Sequence, residues 1–72
     1  MEYEEVKVGM RVKINLDKNE ECYSEEYDGR EGKVDYIDVD EPEYSIEVNI
    51  EMLNGKIETG IMFKPSELEA VV

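Results

Sequence analysis

Carboxylates dominate the side chains of this chain that could do chemistry. Five lie in residues 20–28 (Glu20, Glu21, Glu25, Glu26 and Asp28) and seven in residues 35–51 (Asp35, Asp38, Asp40, Glu41, Glu43, Glu47 and Glu51), with no Lys or Arg in either stretch. Carboxylates can shuttle protons in pairs, ligate a hard cation through oxygen, or present negative charge as phosphates do. Proton shuttling of the glycosidase kind needs a sugar cleft, which a 72-residue chain has little room to build. The cation-loop pattern fails around Asp38, Asp40 and Glu41. Counting from Asp38, position six is Glu43 where an EF-hand needs Gly, and position twelve is Asn49 where it needs Glu. A turn cluster is therefore the expectation there, with a weak Mg²⁺ or Ca²⁺ site as the alternative. Cys22 sits among Glu20, Glu21 and Glu25, whose charge disfavours the thiolate, so it reads as an inert thiol. The chain has no His, which excludes His-based acid–base catalysis, Ser-His or Cys-His nucleophiles and His-ligated metals. The residues point to a non-catalytic binding protein without a cofactor.

The formal net charge is -12. Outside the two base-free stretches eight acids balance eight bases, so the whole surplus comes from those stretches. Its bulk field repels DNA, RNA and anionic membranes. Direct nucleic-acid binding through Lys13, Arg30 and Lys33 is a weak alternative, since these bases are surrounded by acids and are expected to form ion pairs. Twelve charges correspond to about 20 Å of duplex DNA, and a domain of this length is roughly 30 Å across. Outward side chains on one strand recur only every ~6.6–6.8 Å, so strand three with Glu47 and Glu51 is too sparse alone. A phosphate-like face requires residues 20–28, residues 35–43 and strand three to converge. Such a face steers toward basic protein surfaces in a salt-dependent way, and those belong mostly to nucleic-acid-binding proteins. Tyr23 and Tyr27 are expected to be exposed apolar anchors within it, while Tyr36 and Tyr44 fit core and rim equally well.

The elements that must position these groups are strands. The chain is one small domain, residues 1–72, with a hydrophobic share of 40%, too high for a disordered acidic tail. Val6, Val8, Met10, Val12, Ile14 and Leu16 alternate with polar residues or glycine, predicting strand one over 10–16 with a turn at Gly9. Residues 17–31 lose the alternation and read as a long acidic loop. Strand two is expected from Lys33 to Val39. Its parity changes from Val34 and Tyr36 to Ile37 and Val39, which implies a bulge near Tyr36-Ile37. Strand three, Tyr44 to Leu53, points Tyr44, Ile46, Val48, Ile50 and Met52 inward and Ser45, Glu47, Asn49 and Glu51 outward. Asn54-Gly55 predicts a two-residue type I′ hairpin, which sets Met52 opposite Ile57, Ile50 opposite Thr59, Val48 opposite Ile61 and Ile46 opposite Phe63. That register leaves one unfavourable pair, Glu51 opposite Glu58. Lys64 to Glu69 reads as one helical turn with capping-box spacing between Ser66 and Glu69, and Ala70-Val71-Val72 as a short closing strand.

This plan resembles the small SH3-like barrels of the KOW group. The resemblance rests on residues 8–14 (VGMRVKI), residues 29–34 (GREGKV), the Asn54-Gly55 hairpin and residues 63–68 (FKPSEL). It implies an all-β fold, a five-stranded SH3-like barrel with a one-turn helix before the last strand. KOW-type members bind ribosomal RNA or transcription complexes, but here the loops are acidic. In length, charge and lack of catalytic groups the chain is similar to acidic phage proteins that take over a host by mimicking DNA. That similarity implies an inhibitor occupying the DNA site of a basic host protein, with the histone-like protein HU one candidate. The alternative is a protein–protein interaction module in the transcription or translation machinery. A homodimer through the edge at Val71-Val72 is possible on this plan. The longest apolar run is three residues, which excludes a transmembrane helix and a signal-peptide core. With one lone thiol, it leads to the expectation of a cytoplasmic protein.

Overall fold

The computed structural model describes residues 1–21 and 23–71, so Cys22 and Val72 lie outside the described residues. Five antiparallel strands form one sheet: β1 (Arg11–Ile14), β2 (Glu31–Ile37), β3 (Ile46–Glu51), β4 (Ile57–Phe63) and β5 (Leu68–Ala70). Their spatial order is β4-β3-β2-β1-β5. Single 3₁₀ turns cover Tyr3–Glu5 and Pro65–Glu67. The all-β class and the five strands agree with the sequence. The pairings run from β4 to β5 without joining these two edges, so the sheet is open where a closed barrel was expected. No helix among the described residues is long and apolar enough to cross a membrane.

Alternation makes the core. Val12, Ile14, Val34, Ile46, Val48 and Ile50 lie on one face and are buried, and each contributes about 1.5–3 kcal/mol by leaving water. Phe63 from the edge strand β4 and Leu68 from the edge strand β5 join the same cluster, so the sheet curls around its apolar face. The molecule measures 32 × 28 × 23 Å. Gly9 does turn the chain, with φ +92°, and this leaves Val8 exposed although its neighbours Val6 and Val12 are buried. Ser45, expected outside, is buried, because it precedes β3 and the strand's alternation does not reach it.

Register is where the structure departs most from the sequence. The β2 bulge falls between Val34 and Tyr36. Asp35 is thus the extra residue, Tyr36 turns outward, and Ile37 faces in opposite Ile46. In the β3–β4 hairpin the turn is not type I′. No residue other than glycine has positive φ, so Asn54 cannot adopt the left-handed conformation that turn needs, whereas Gly55 has φ +82°. Gly55 N–H donates to Met52 O (3.0 Å) and Met52 N–H to Lys56 O (2.9 Å), which makes Leu53-Asn54-Gly55 a three-residue loop. The longer loop slips the register by one, so Ile50 faces Glu58 and Glu51 faces Ile57. A second bulge in β4, at Thr59 and Gly60 (φ +80°), restores it, and Val48–Ile61 and Ile46–Phe63 pair as expected.

The closing segment is also shifted. Glu67, not Glu69, reaches back to cap the turn, accepting from Lys64 N–H at 2.8 Å. The last strand is Leu68–Ala70, two residues earlier than expected, and Val71 N–H already pairs with Arg11 O at 3.1 Å.

Gly32 sits between Val12 of β1 and Ile50 of β3. A methyl there would lie 2.9 Å from Val48 Cγ1 and closer still to the Asn49 carbonyl oxygen, so only glycine lets β3 cross here. Gly32→Ala is expected to lower stability by about 1–3 kcal/mol or more, read as a drop in the urea midpoint.

Candidate functional site

The loop between β1 and β2 carries the first acidic stretch, and its own aromatic and acidic groups hold it down. Asp28 Oδ1 accepts from Leu16 N–H (2.9 Å) and its Oδ2 from Tyr23 O–H (3.1 Å). Tyr27 O–H donates to Glu58 Oε2 at 2.6 Å. Tyr23 and Tyr27 are half-buried against the core, which corrects the expectation of exposed anchors. Their rings are needed because the long loop has little other apolar surface to bury. Glu20 pairs with Lys64 at 3.3 Å, while Glu21, Glu25 and Glu26 are exposed.

The second stretch divides into three parts. Asp38, Asp40, Glu41 and Glu43 form the turn between β2 and β3. Asp38 Oδ1 accepts from Asp40 N–H (3.1 Å) and Glu41 Oε1 from Glu43 N–H (3.3 Å). Asp40, Glu41 and Glu43 point to solvent. No group of three or more among the described residues could hold a metal ion, so the structure gives no cation site to Asp38, Asp40 and Glu41. Asp35 and Glu47 face each other on the outer side of the sheet. The hydrogen bond to Asp35, followed by partial burial and like charge, raises the Glu47 carboxyl above its usual range. Glu51 is neutralised. Arg11 grips it with two bonds, 2.8 and 3.0 Å, and reaches Glu31 at 3.2 Å. The bonds to Glu51 and Glu31 push the guanidinium pKa up, and the bond from Arg11 pulls the Glu51 carboxyl down.

The outer face of β1, β2, β3 and β5 is therefore mixed in charge. Arg11, Lys13 and Lys33 alternate there with Glu31, Glu51 and Glu69, and Lys13 stands opposite both Glu31 and Glu69. Ion pairs among the described residues are made by Arg11 and Lys64 rather than by Lys13, Arg30 and Lys33.

Lys64 is the residue that sequence reasoning missed. It bonds to Glu20 of the first stretch, lies 5.5 Å from the Tyr44 ring centre, and shares a concavity of about 360 Å³ with Glu43 and Pro42. One base thus draws the 20–28 loop and the 38–44 turn together, and its own pKa is raised chiefly by the bond to Glu20. Glu51 and the Asp35–Glu47 pair belong to the outer sheet face instead. The signal in the sequence was faint, a lone Lys following an apolar run. Tyr44 is half-buried at this junction and Tyr36 is exposed on the outer face. Comparison with protein-family models, with curated proteins and with solved structures finds no significant match for this chain.

Two titrations follow. The bond to Glu58, then burial and the Glu58 charge, push Tyr27 up to about 12 from 10.0. The neutral phenol is favoured in the folded state, so this contribution is intact below pH 10.0 and is lost as pH rises through about 12. NMR titration of the Tyr27 ring is expected to show it, and Glu58→Gln to return the midpoint toward 10.0. Glu47 is raised from 4.5, so its ionised form costs stability at neutral pH. Glu47→Gln is expected to raise the melting temperature at neutral pH, with the gain vanishing as pH falls below 4.5.

Proposed function

We propose that this protein is a non-catalytic DNA mimic that occupies the DNA-binding surface of a basic protein. One observation carries the reading. Of the twelve acids in the two base-free stretches, Glu20 and Glu51 form ion pairs, Asp28 and Asp38 accept backbone N–H groups, and Asp35 and Glu47 bond to each other on the outer sheet face, which leaves six exposed carboxylates for a partner. Six duplex charges fill about 10 Å of axis, well within the 32 Å long dimension of the molecule. The approach of the 20–28 loop and the 38–44 turn at Lys64 further supports a shared anionic side. On this reading Glu21, Glu25, Glu26, Asp40, Glu41 and Glu43 stand in for phosphates, and the site of action is the cytoplasm, where basic DNA-binding proteins work.

The strand order β4-β3-β2-β1-β5, with a 3₁₀ turn just before β5, supports an SH3-like, KOW-type architecture. The mixed-charge outer face of that sheet favours a second reading, a protein–protein module whose affinity changes little with salt.

Titration into a preformed complex of HU, or another basic DNA-binding protein, with a short duplex separates the two readings. The mimic is expected to release the DNA, with an apparent affinity that falls about tenfold or more between about 50 and about 200 mM salt. Duplex that stays bound at low salt for every basic partner tried overturns the proposal. Capture of one partner equally well at both salt concentrations favours the second reading.

A further inference from the structure

Beside the Lys64 concavity, with which it shares Tyr3, the surface carries a second pocket with exposed apolar walls. Val8 is 63% exposed and Val39 78% exposed. Isolated exposed valines are ordinary, but these two line one concavity together with Tyr3, itself 41% exposed, over a floor of Val6 and Ile37. Three separate segments build it: the 3₁₀ turn Tyr3–Glu5, the bend before β1 and the end of β2. Gly9 N–H donates to Val34 O at 2.8 Å, which fixes the bend beside β2. Asp38 N–H donates to Ser45 O at 2.8 Å, which holds the segment leading to Val39. The volume is about 280 Å³, just below the roughly 300–1,000 Å³ of small-molecule sites, and suits one or two inserted side chains.

The surrounding segments are acidic. Glu4 lines the pocket, and Glu5, Asp38 and Asp40 are chain neighbours of its lining residues. Lys7 is the one base lining it among the described residues. Apolar walls on segments with four acids, Glu4, Glu5, Asp38 and Asp40, to one base, Lys7, suit a side chain that is itself apolar and flanked by cations.

We propose that this pocket receives an apolar side chain presented between Lys or Arg residues of a basic partner. Proteins that bend DNA carry such an arrangement, an apolar wedge driven between base steps with cationic neighbours on the phosphates. The choice of that partner class rests on the DNA-mimic reading and deepens it. Glu4 and the carboxylates of the adjoining segments meet the cations that otherwise meet phosphates, and the Tyr3–Val8–Val39 pocket takes the wedge that otherwise enters the base stack.

The test uses the full chain and two short fluorescent peptides of Lys and Arg, one with a central Leu and one with a central Ser. The Leu peptide is expected to bind about tenfold more tightly and to shift the Val8 and Val39 methyl resonances. Val8→Ser with Val39→Ser is expected to reduce the Leu peptide to the affinity of the Ser peptide and leave the Ser peptide unchanged. Both positions are exposed, and unshifted Val12 and Ile14 methyls verify that the variant folds. Equal affinities for the two peptides overturn the proposal. Methyl shifts at Val8 and Val39 that grow with protein concentration alone also overturn it, since a second copy is then the occupant. Released duplex with equal peptide affinities removes the pocket and leaves the mimic reading standing. Peptide discrimination without DNA release supports the pocket and removes that reading.

Discussion

Asp35 in β2 and the Thr59-Gly60 pair in β4 each add a residue that the facing strand lacks, and side-chain parity reverses beyond each bulge. Most of the electrostatics depends on those two reversals. In a regular hairpin Glu58 would stand opposite Glu51 on the outer face, two like charges in direct contact. The three-residue turn instead sets Glu51 opposite Ile57, where Arg11 can grip it, and turns Glu58 to the inner face beneath the Tyr27 hydroxyl, and the β4 bulge then restores the core register. The bulge at Asp35 has the opposite local effect. It leaves a carboxylate against Glu47 and sends Tyr36 outward, so that Ile37 can still bury opposite Ile46. Core parity wins because each buried aliphatic is worth more than an exposed charge contact loses.

The distribution of charge then follows from which acids the fold spends on itself. Asp28 and Asp38 satisfy backbone N–H groups in loops that the ladder does not reach. Glu20 and Glu51 each hold one of the bases that join distant segments. Glu67 caps the turn before β5, and its backbone carbonyl accepts Asn15 N–H at 2.7 Å. Glu31, Glu58 and Glu69 bond to Arg11, Tyr27 and Asn15. Within the two base-free stretches, the exposed carboxylates left over lie on the 20–28 loop and the 38–44 turn, with the Asp35–Glu47 pair apart on the outer sheet face. A chain with eight bases for twenty acids retains a large self-repulsion, most at low salt. A basic partner would relieve it, and this links the fold's electrostatic strain to the proposed function.

Part of the site was legible in the sequence because charge and periodicity are properties of composition along the chain. The base-free stretches, the β2 bulge to within two residues, and the outer ends of the β3–β4 register could all be read there. The tyrosines could not. Tyr23 and Tyr27 look like surface anchors among acids, but a loop with so little other apolar content uses their rings as its own core. Lys64 and Val39 were missed for a related reason: each has an ordinary local context and gains its role from segments far away in the chain.

The sequence by itself determined that this protein is all-β, carries a surplus of negative charge confined to two stretches, and lacks the groups for His-based catalysis, because these depend on residue type and on alternation at period two. Tertiary structure alone decided which carboxylates are spent on caps and ion pairs, which loops meet at Lys64, and that Tyr3, Val8 and Val39 share a pocket. Those outcomes turn on bulges and on a three-residue turn, where Gly55 and Gly60 take φ values that local pattern does not specify, and one residue of slip moves a side chain to the other face.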